Sequence, residues 1–238
     1  MLTGIVFDWT GTLVTPSSTV EPAFASVAEL LAQRLGAGGS ADAHRRAFTA
    51  AMDRASQGNE TPHIERLWAD ALDWLGVPAS RDDVVAVARR FAEVVARGER
   101  VYDDARALLP ALRYHGFRVG IVANTPFEGR DLHERLRRAG LGGYVDAVLS
   151  SADLGFGKPD RRAFEAVMRA MGVEPWEALY VGVEEEFVRG ARGALMRAVR
   201  LVRNDRARER AGLLEVERLS ALAPFLFGSE EEGADSLL

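Results

Sequence analysis

The sequence contains no cysteine in 238 residues, which excludes disulfides, thiolate metal centres and a cysteine nucleophile. It also has no excess of positive charge. A net charge of −5 at pH 7 offers polyanions no attraction, so nucleic acid is not an expected partner. No apolar run approaches the ~20 residues that span a bilayer, and no charged segment with a short apolar stretch opens the sequence as a secretory signal would. A membrane is therefore not an expected partner, and a cytoplasmic location is the expectation. What is present is ordinary for a globular chain, with 47% hydrophobic and 27% charged residues, enough for one large or two modest domains. No internal repeat or low-complexity segment interrupts it.

Hydrophobic periodicity divides the chain into two kinds of segment. Ile5-Val6-Phe7 is an apolar, strand-favouring run that stops at the polar turn Asp8-Trp-Thr10-Gly-Thr12, as a buried parallel strand does. From Pro22 to about Gly98 only helical spacing is found. Phe24, Val27, Leu30, Leu31 and Leu35 share one face, as do Leu67, Ala71, Leu72, Trp74 and Leu75. Residues 81–97 carry a third face, and 47–55 add a short helix. Beyond residue 100, strands at 117–123, 145–149, 178–182 and 198–202 alternate with helices near 108–112, 130–138, 164–171 and 187–196. Such alternation predicts right-handed crossovers and a parallel sheet covered on both faces. The expected fold is α/β, a doubly wound, Rossmann-like parallel sheet built from 1–15 and 100–228. An α-helical cap is inserted over 16–99, and 229–238 form a flexible tail. Residues 213–227 add a terminal apolar segment, strand-like or helical.

Ligands of open α/β sheets bind beyond the carboxyl ends of the strands. Three polar stretches fall there: Asp8-Trp-Thr10-Gly-Thr12, Asn124-Thr125-Pro126 and Gly157-Lys158-Pro159-Asp160. Taken singly, each reads as a turn former or a solvated side chain. In this order, with helices inserted after the first, the chain resembles the haloacid dehalogenase superfamily, in its phosphatase-like branch with a helical cap. The resemblance carries Asp8 onto the family's nucleophile and Asn124 onto the asparagine that follows its second-motif hydroxyl. Lys158, in Leu154-Gly-Phe-Gly-Lys-Pro-Asp160, is carried onto the third-motif lysine. Tyr102-Asp-Asp-Ala-Arg looks like the usual return from cap to core, and Leu179-Tyr-Val-Gly182 opens the fourth motif. The resemblance implies an aspartyl phosphate on Asp8, with catalytic roles for Asp8, Thr10 and Lys158. Thr12, Asn124 and Thr125, with the amides around Thr10 to Thr12, would bind a small phosphorylated molecule, and Mg²⁺ would bridge Asp8 and the phosphate. The expected assembly is a monomer or a homodimer.

Three features depart from that pattern. Thr10 stands where the phosphatases carry a second aspartate, their general acid/base. A hydroxyl does not shuttle protons near neutral pH, so a factor of ~10²–10⁴ is weakened. Ala123 replaces the second-motif hydroxyl. Val183 and Phe187 stand at the fourth-motif aspartates and cannot ligate a cation. Glu184 and Glu185 admit two readings: their longer side chains restore the metal site, or with Glu186 they form the solvated acidic first turn of the next helix. Two alternatives to a phosphatase follow. One is a catalytically impaired phosphate-binding or regulatory protein. The other is a metal-free 2-haloacid dehalogenase-like hydrolase, for which the missing carboxylates cost nothing.

Overall fold

The computed structural model describes residues 1–36, 39–57, 61–203 and 212–228. The tail expected over 229–238 lies outside the described residues. Along the chain, β1 (Gly4–Phe7) precedes four helices, α1 (Val20–Leu35), α2 (Ala41–Gln57), α3 (Ile64–Trp74) and α4 (Arg81–Arg97). Then come α5 (Asp103–Tyr114), β2 (Arg118–Ala123), α6 (Gly129–Arg138), β3 (Ala147–Ser150), α7 (Ser151–Leu154) and α8 (Arg161–Met171). The series closes with β4 (Ala178–Gly182), α9 (Glu185–Gly193), β5 (Arg197–Leu201), β6 (Leu214–Val216) and α10 (Ala223–Phe227). The terminal apolar segment is thus both a strand and a helix. Two compact units result. One holds the described residues of Met1–Thr15, Val101–Asn124 and Glu128–Leu238; the other holds Pro16–Arg100 and Thr125–Phe127.

In the α/β unit the strand order is β3-β2-β1-β4-β5-β6, with every pair parallel. The winding reverses at β1, which pairs with β2 on one side and β4 on the other. That reversal opens a crevice at the carboxyl ends of the strands. Phe7 is in register with Ile121 and Val181, so the residues after these three strands emerge at one edge. Val6, Val122 and Tyr180 pack with Phe164, Val167 and Met168 of α8 and with Val188 and Ala191 of α9. Strand alternation sends Ile5, Phe7, Ile121 and Val181 to the opposite face, where all four are fully buried. Phe164 meets Tyr180 edge to face, with ring centroids 5.3 Å apart, which fixes the tyrosine ring within the sheet.

The helical unit is organised by aromatic packing. Phe24, Phe48, Trp68 and Phe91, one from each helix, form a cluster in which Phe48 and Trp68 lie 4.9 Å apart and Phe24 and Phe91 5.0 Å apart. His44 is fully buried beside Trp68. The helix expected over 47–55 begins earlier, at Ala41, and brings His44 into this core. Trp74, expected on the apolar face of α3, is 57% exposed. At 100° per residue the buried arc is centred between Trp68 and Ala71, which leaves Trp74 about a quarter turn away at its rim. A reciprocal box of Ser80 and Asp83 caps α4, and Arg34 donates to the same carboxylate at 2.7 Å. The Ser80 hydroxyl first, then Arg34, hold the Asp83 carboxyl down at about 2.

Candidate active site

The end of β1 delivers Asp8 beside Lys158, which follows α7 in the chain. Lys158 Nζ donates to Asp8 Oδ1 at 2.5 Å, and the Trp9 N–H donates to the same oxygen at 2.7 Å. Asp8 Oδ2 has no protein partner among the described residues. The carboxylate therefore has one oxygen held and one available, an arrangement suited to nucleophilic attack. The Lys158 side chain is wholly buried. Burial pushes its ammonium below the ordinary lysine value, while the Asp8 charge and hydrogen bond, and then Glu184, pull the other way. The Phe187 ring centroid lies 4.7 Å from Nζ, where the π face attracts a desolvated cation. The Tyr180 hydroxyl is 3.3 Å from Nζ. Burial, then Asp8 and Glu184, raise that phenol well above its usual value, so it stays protonated.

Asn124, at the end of β2, directs its amide at the Lys158 backbone. Its Nδ2 donates to the Lys158 carbonyl at 2.7 Å, and its Oδ1 accepts the Lys158 N–H at 2.8 Å. The preceding residue must be glycine for this clasp to close, since a Cβ on Gly157 would fall 2.7 Å from Asn124 Oδ1. Asn124 thus holds the lysine's backbone in place, a role the expectation of a ligand contact did not include.

The turn after Asp8 is tied together by its own peptides. The Gly11 N–H donates to the Val14 carbonyl at 2.7 Å, and the Trp9 carbonyl accepts from Thr12, Leu13 and Val14. Across the planar Trp9–Thr10 peptide, the Thr10 N–H points opposite to that carbonyl, and it has no protein acceptor among the described residues. Thr10 is exposed. Thr12, by contrast, is fully buried, and its hydroxyl lacks a protein partner among the described residues. Thr125 groups with the helical unit through the segment Thr125–Phe127, in which the Pro126 carbonyl accepts from Ile64 at the start of α3.

The residues present do not fit Mg²⁺. No three His, Asp or Glu side chains gather to hold a metal ion among the described residues. Val183 turns its methyl groups toward Gly11, with Cγ2 only 3.3 Å from where a Cβ would stand. Phe187 lies against the Lys158 ammonium instead of offering an oxygen. Of the glutamates, Glu184 is the exposed cap residue of α9. Glu185 pairs with Arg189 at 2.7 Å and lies 4.0 Å from Arg200, and it shares the first turn with Glu186. The Asp8 Oδ2 atom beside an ammonium, with Glu184 the one further carboxylate among the described residues whose charge reaches Lys158, is a sparse donor set for a small octahedral cation.

One group around this turn carried no local signal in the sequence. Arg203, just after β5, donates to the Gly11 and Thr12 carbonyls, and Asp104 in the first turn of α5 holds its guanidinium. One arginine among 29 is inconspicuous. Lys158 is the opposite case, being the only lysine in the chain. Its compact ammonium sits fully buried between the Tyr180 hydroxyl and the Phe187 ring.

Residues 2–182 match the family described as haloacid dehalogenase-like hydrolase. A phosphoserine phosphatase of Thermus thermophilus is 38% identical over 143 residues, covering 58% of this chain and 54% of that protein. The chain spans about half the length of the curated relatives it matches. A phosphatase of the same superfamily from Thermococcus onnurineus superposes with a TM-score of 0.68 at 26% identity, over 96% of this chain and 99% of that one. A 2-haloacid dehalogenase from Pseudomonas syringae pv. Tomato has a TM-score of 0.73 at 23% identity, over 95% and 98%, a likeness of fold. With a parallel sheet whose switch point presents Asp8 to Lys158, and a match across three quarters of its length, the chain belongs to the haloacid dehalogenase-like hydrolases.

Proposed function

We propose that this protein is a phosphatase for a small phosphorylated molecule, acting through an aspartyl phosphate on Asp8. The observation that carries the reading is the buried 2.5 Å contact from Lys158 to Asp8 Oδ1, which leaves Oδ2 free. Its phosphatase relatives support the same substrate class. In the first step Asp8 Oδ2 attacks phosphorus and the ester P–O bond breaks. The leaving oxygen keeps that electron pair and takes its proton from water, since Thr10 is no acid. Lys158 offsets charge on the phosphoryl oxygens, and the Thr10 N–H donates to one of them. Water then attacks the aspartyl phosphate with no base at position 10 to activate it, so the second step is the slow one.

The test is acid-quenched incubation with a panel of phosphomonoesters, followed by peptide mass spectrometry and phosphate release. A phosphate adduct on Asp8 that forms faster than phosphate is released supports the reading. Turnover that survives Asp8→Asn, or turnover with no adduct at any time, refutes it. A second reading has one observation in its favour, the apolar Phe187 ring against the Lys158 ammonium, with Val183 facing Gly11. It is displacement of halide from a 2-haloacid by Asp8, and it requires EDTA-resistant halide release that the first reading does not.

A further inference from the structure

We infer that Arg203 is a positioning residue, which holds the turn after Asp8 in the shape that presents the Thr10 N–H to a phosphoryl oxygen. The inference rests on the phosphatase reading for what the turn binds, but the brace itself is a matter of geometry. Arg203 Nε donates to the Gly11 carbonyl at 2.9 Å and Nη2 to the Thr12 carbonyl at 2.6 Å. The same guanidinium meets both oxygens of Asp104, at 2.9 and 3.0 Å, and lies 3.6 Å from the Tyr102 ring centroid. Asp104 is anchored in turn by the Leu219 N–H at 2.8 Å. Both charged side chains are largely buried, and a guanidinium fork with four partners in one plane has little freedom left.

Planar peptides carry this constraint to Thr10. With the Gly11 and Thr12 carbonyls pinned by Arg203, the Thr12 and Leu13 N–H groups point the other way, onto the Trp9 carbonyl at 3.3 and 2.9 Å. That carbonyl in turn orients the Trp9–Thr10 peptide, whose N–H is the unpartnered donor of the turn. Asp8 is held chiefly from outside the turn, its N–H bonded to the Val181 carbonyl at 3.0 Å and its carboxylate to Lys158, with the Trp9 N–H its one hydrogen bond from the turn. Arg203 therefore acts on the amide donor more directly than on the Asp8–Lys158 pair.

The experiment compares wild type, Arg203→Ala and Arg203→Lys. The control is Asp146→Asn, which opens an arginine–carboxylate clasp with Arg113 and Arg118 near the start of β2. In Arg203→Ala, amide exchange across residues 9–14 accelerates while β2 and β4 stay protected, and methylguanidinium restores protection. On a turned-over phosphomonoester, kcat/KM falls by about 100-fold, as for misplacement of one aligned donor. Methylguanidinium restores it, and lysine, which cannot bridge both carbonyls, does not. Unchanged exchange at 9–14 overturns the brace. Faster exchange with unaltered kcat/KM, or an equal loss in Asp146→Asn, overturns the positioning role. Should wild type release no phosphate from any ester, the phosphatase reading and the role inferred for the turn fall together, while exchange still decides the brace.

Discussion

Replacing Asn124 by alanine separates its observed place from the expected one. The substitution removes the bond to the Lys158 carbonyl at 2.7 Å and the bond from the Lys158 N–H at 2.8 Å. Asn124 itself is exposed, so water reaches the freed backbone groups and the net loss is that of two ordinary hydrogen bonds, about 2 kcal/mol in all. At ~2–4 °C per kcal/mol for a chain of this size, Tm falls by about 4–8 °C. Thermal unfolding followed by circular dichroism reads the shift directly. A second readout is available because Lys158 is the only lysine. Lysine labelled with ¹³C at Cε gives one side-chain resonance, which moves when the Lys158 backbone is released. If Tm and that resonance stay at wild-type values while inorganic phosphate binds more weakly, Asn124 is a ligand contact and the clasp is irrelevant.

The same resonance tests the electrostatics. Burial lowers the Lys158 pKa, so its titration midpoint should lie below the ordinary 10.5, and Asp8→Asn, by removing the charge that opposes burial, should lower it further. Because the folded value lies below the unfolded one, this lysine costs stability while protonated in the fold, and that cost is relieved as pH rises from the folded value toward 10.5. In the helical unit, Asp83→Asn should lower Tm at pH 5 to 7, with the difference from wild type vanishing as pH falls from 3.8 through about 2. A persistent difference below that window would refute the ion-paired cap as its source. For the metal, calorimetric titration with Mg²⁺ should give the same heats for wild type and Asp8→Asn, and binding that the substitution abolishes would show that Val183 and Phe187 do not close the site.

Much of both units was legible because hydrophobic periodicity is local. Strand 178–182 of the α/β unit and helix 81–97 of the helical unit coincide with the observed bounds, since a Gly-ended apolar run and a Ser80 cap are signals within a few residues. Boundaries slipped where packing, not pattern, decides. The helix around 47–55 extends to Ala41 because His44 joins an aromatic core, and Trp74 drops out of the buried arc because Trp68 takes its centre.

The sequence by itself determined that Asp8 and Asn124 follow strands, and the resemblance of Gly157-Lys158-Pro159-Asp160 to the family's third motif added Lys158 to the set. It also recorded, in Val183 and Phe187, that metal-binding carboxylates are missing. Only the tertiary structure decided how these residues engage one another. The Asp8–Lys158 contact spans 150 positions, and Arg203 reaches Gly11 across 192, separations at which no periodicity survives. The amide of Asn124 faces a backbone 34 residues away, and nothing in an Asn-Thr-Pro stretch distinguishes that partner from a ligand. Residue type states what a side chain is able to do; the approach of distant strand ends selects which of those capacities is used.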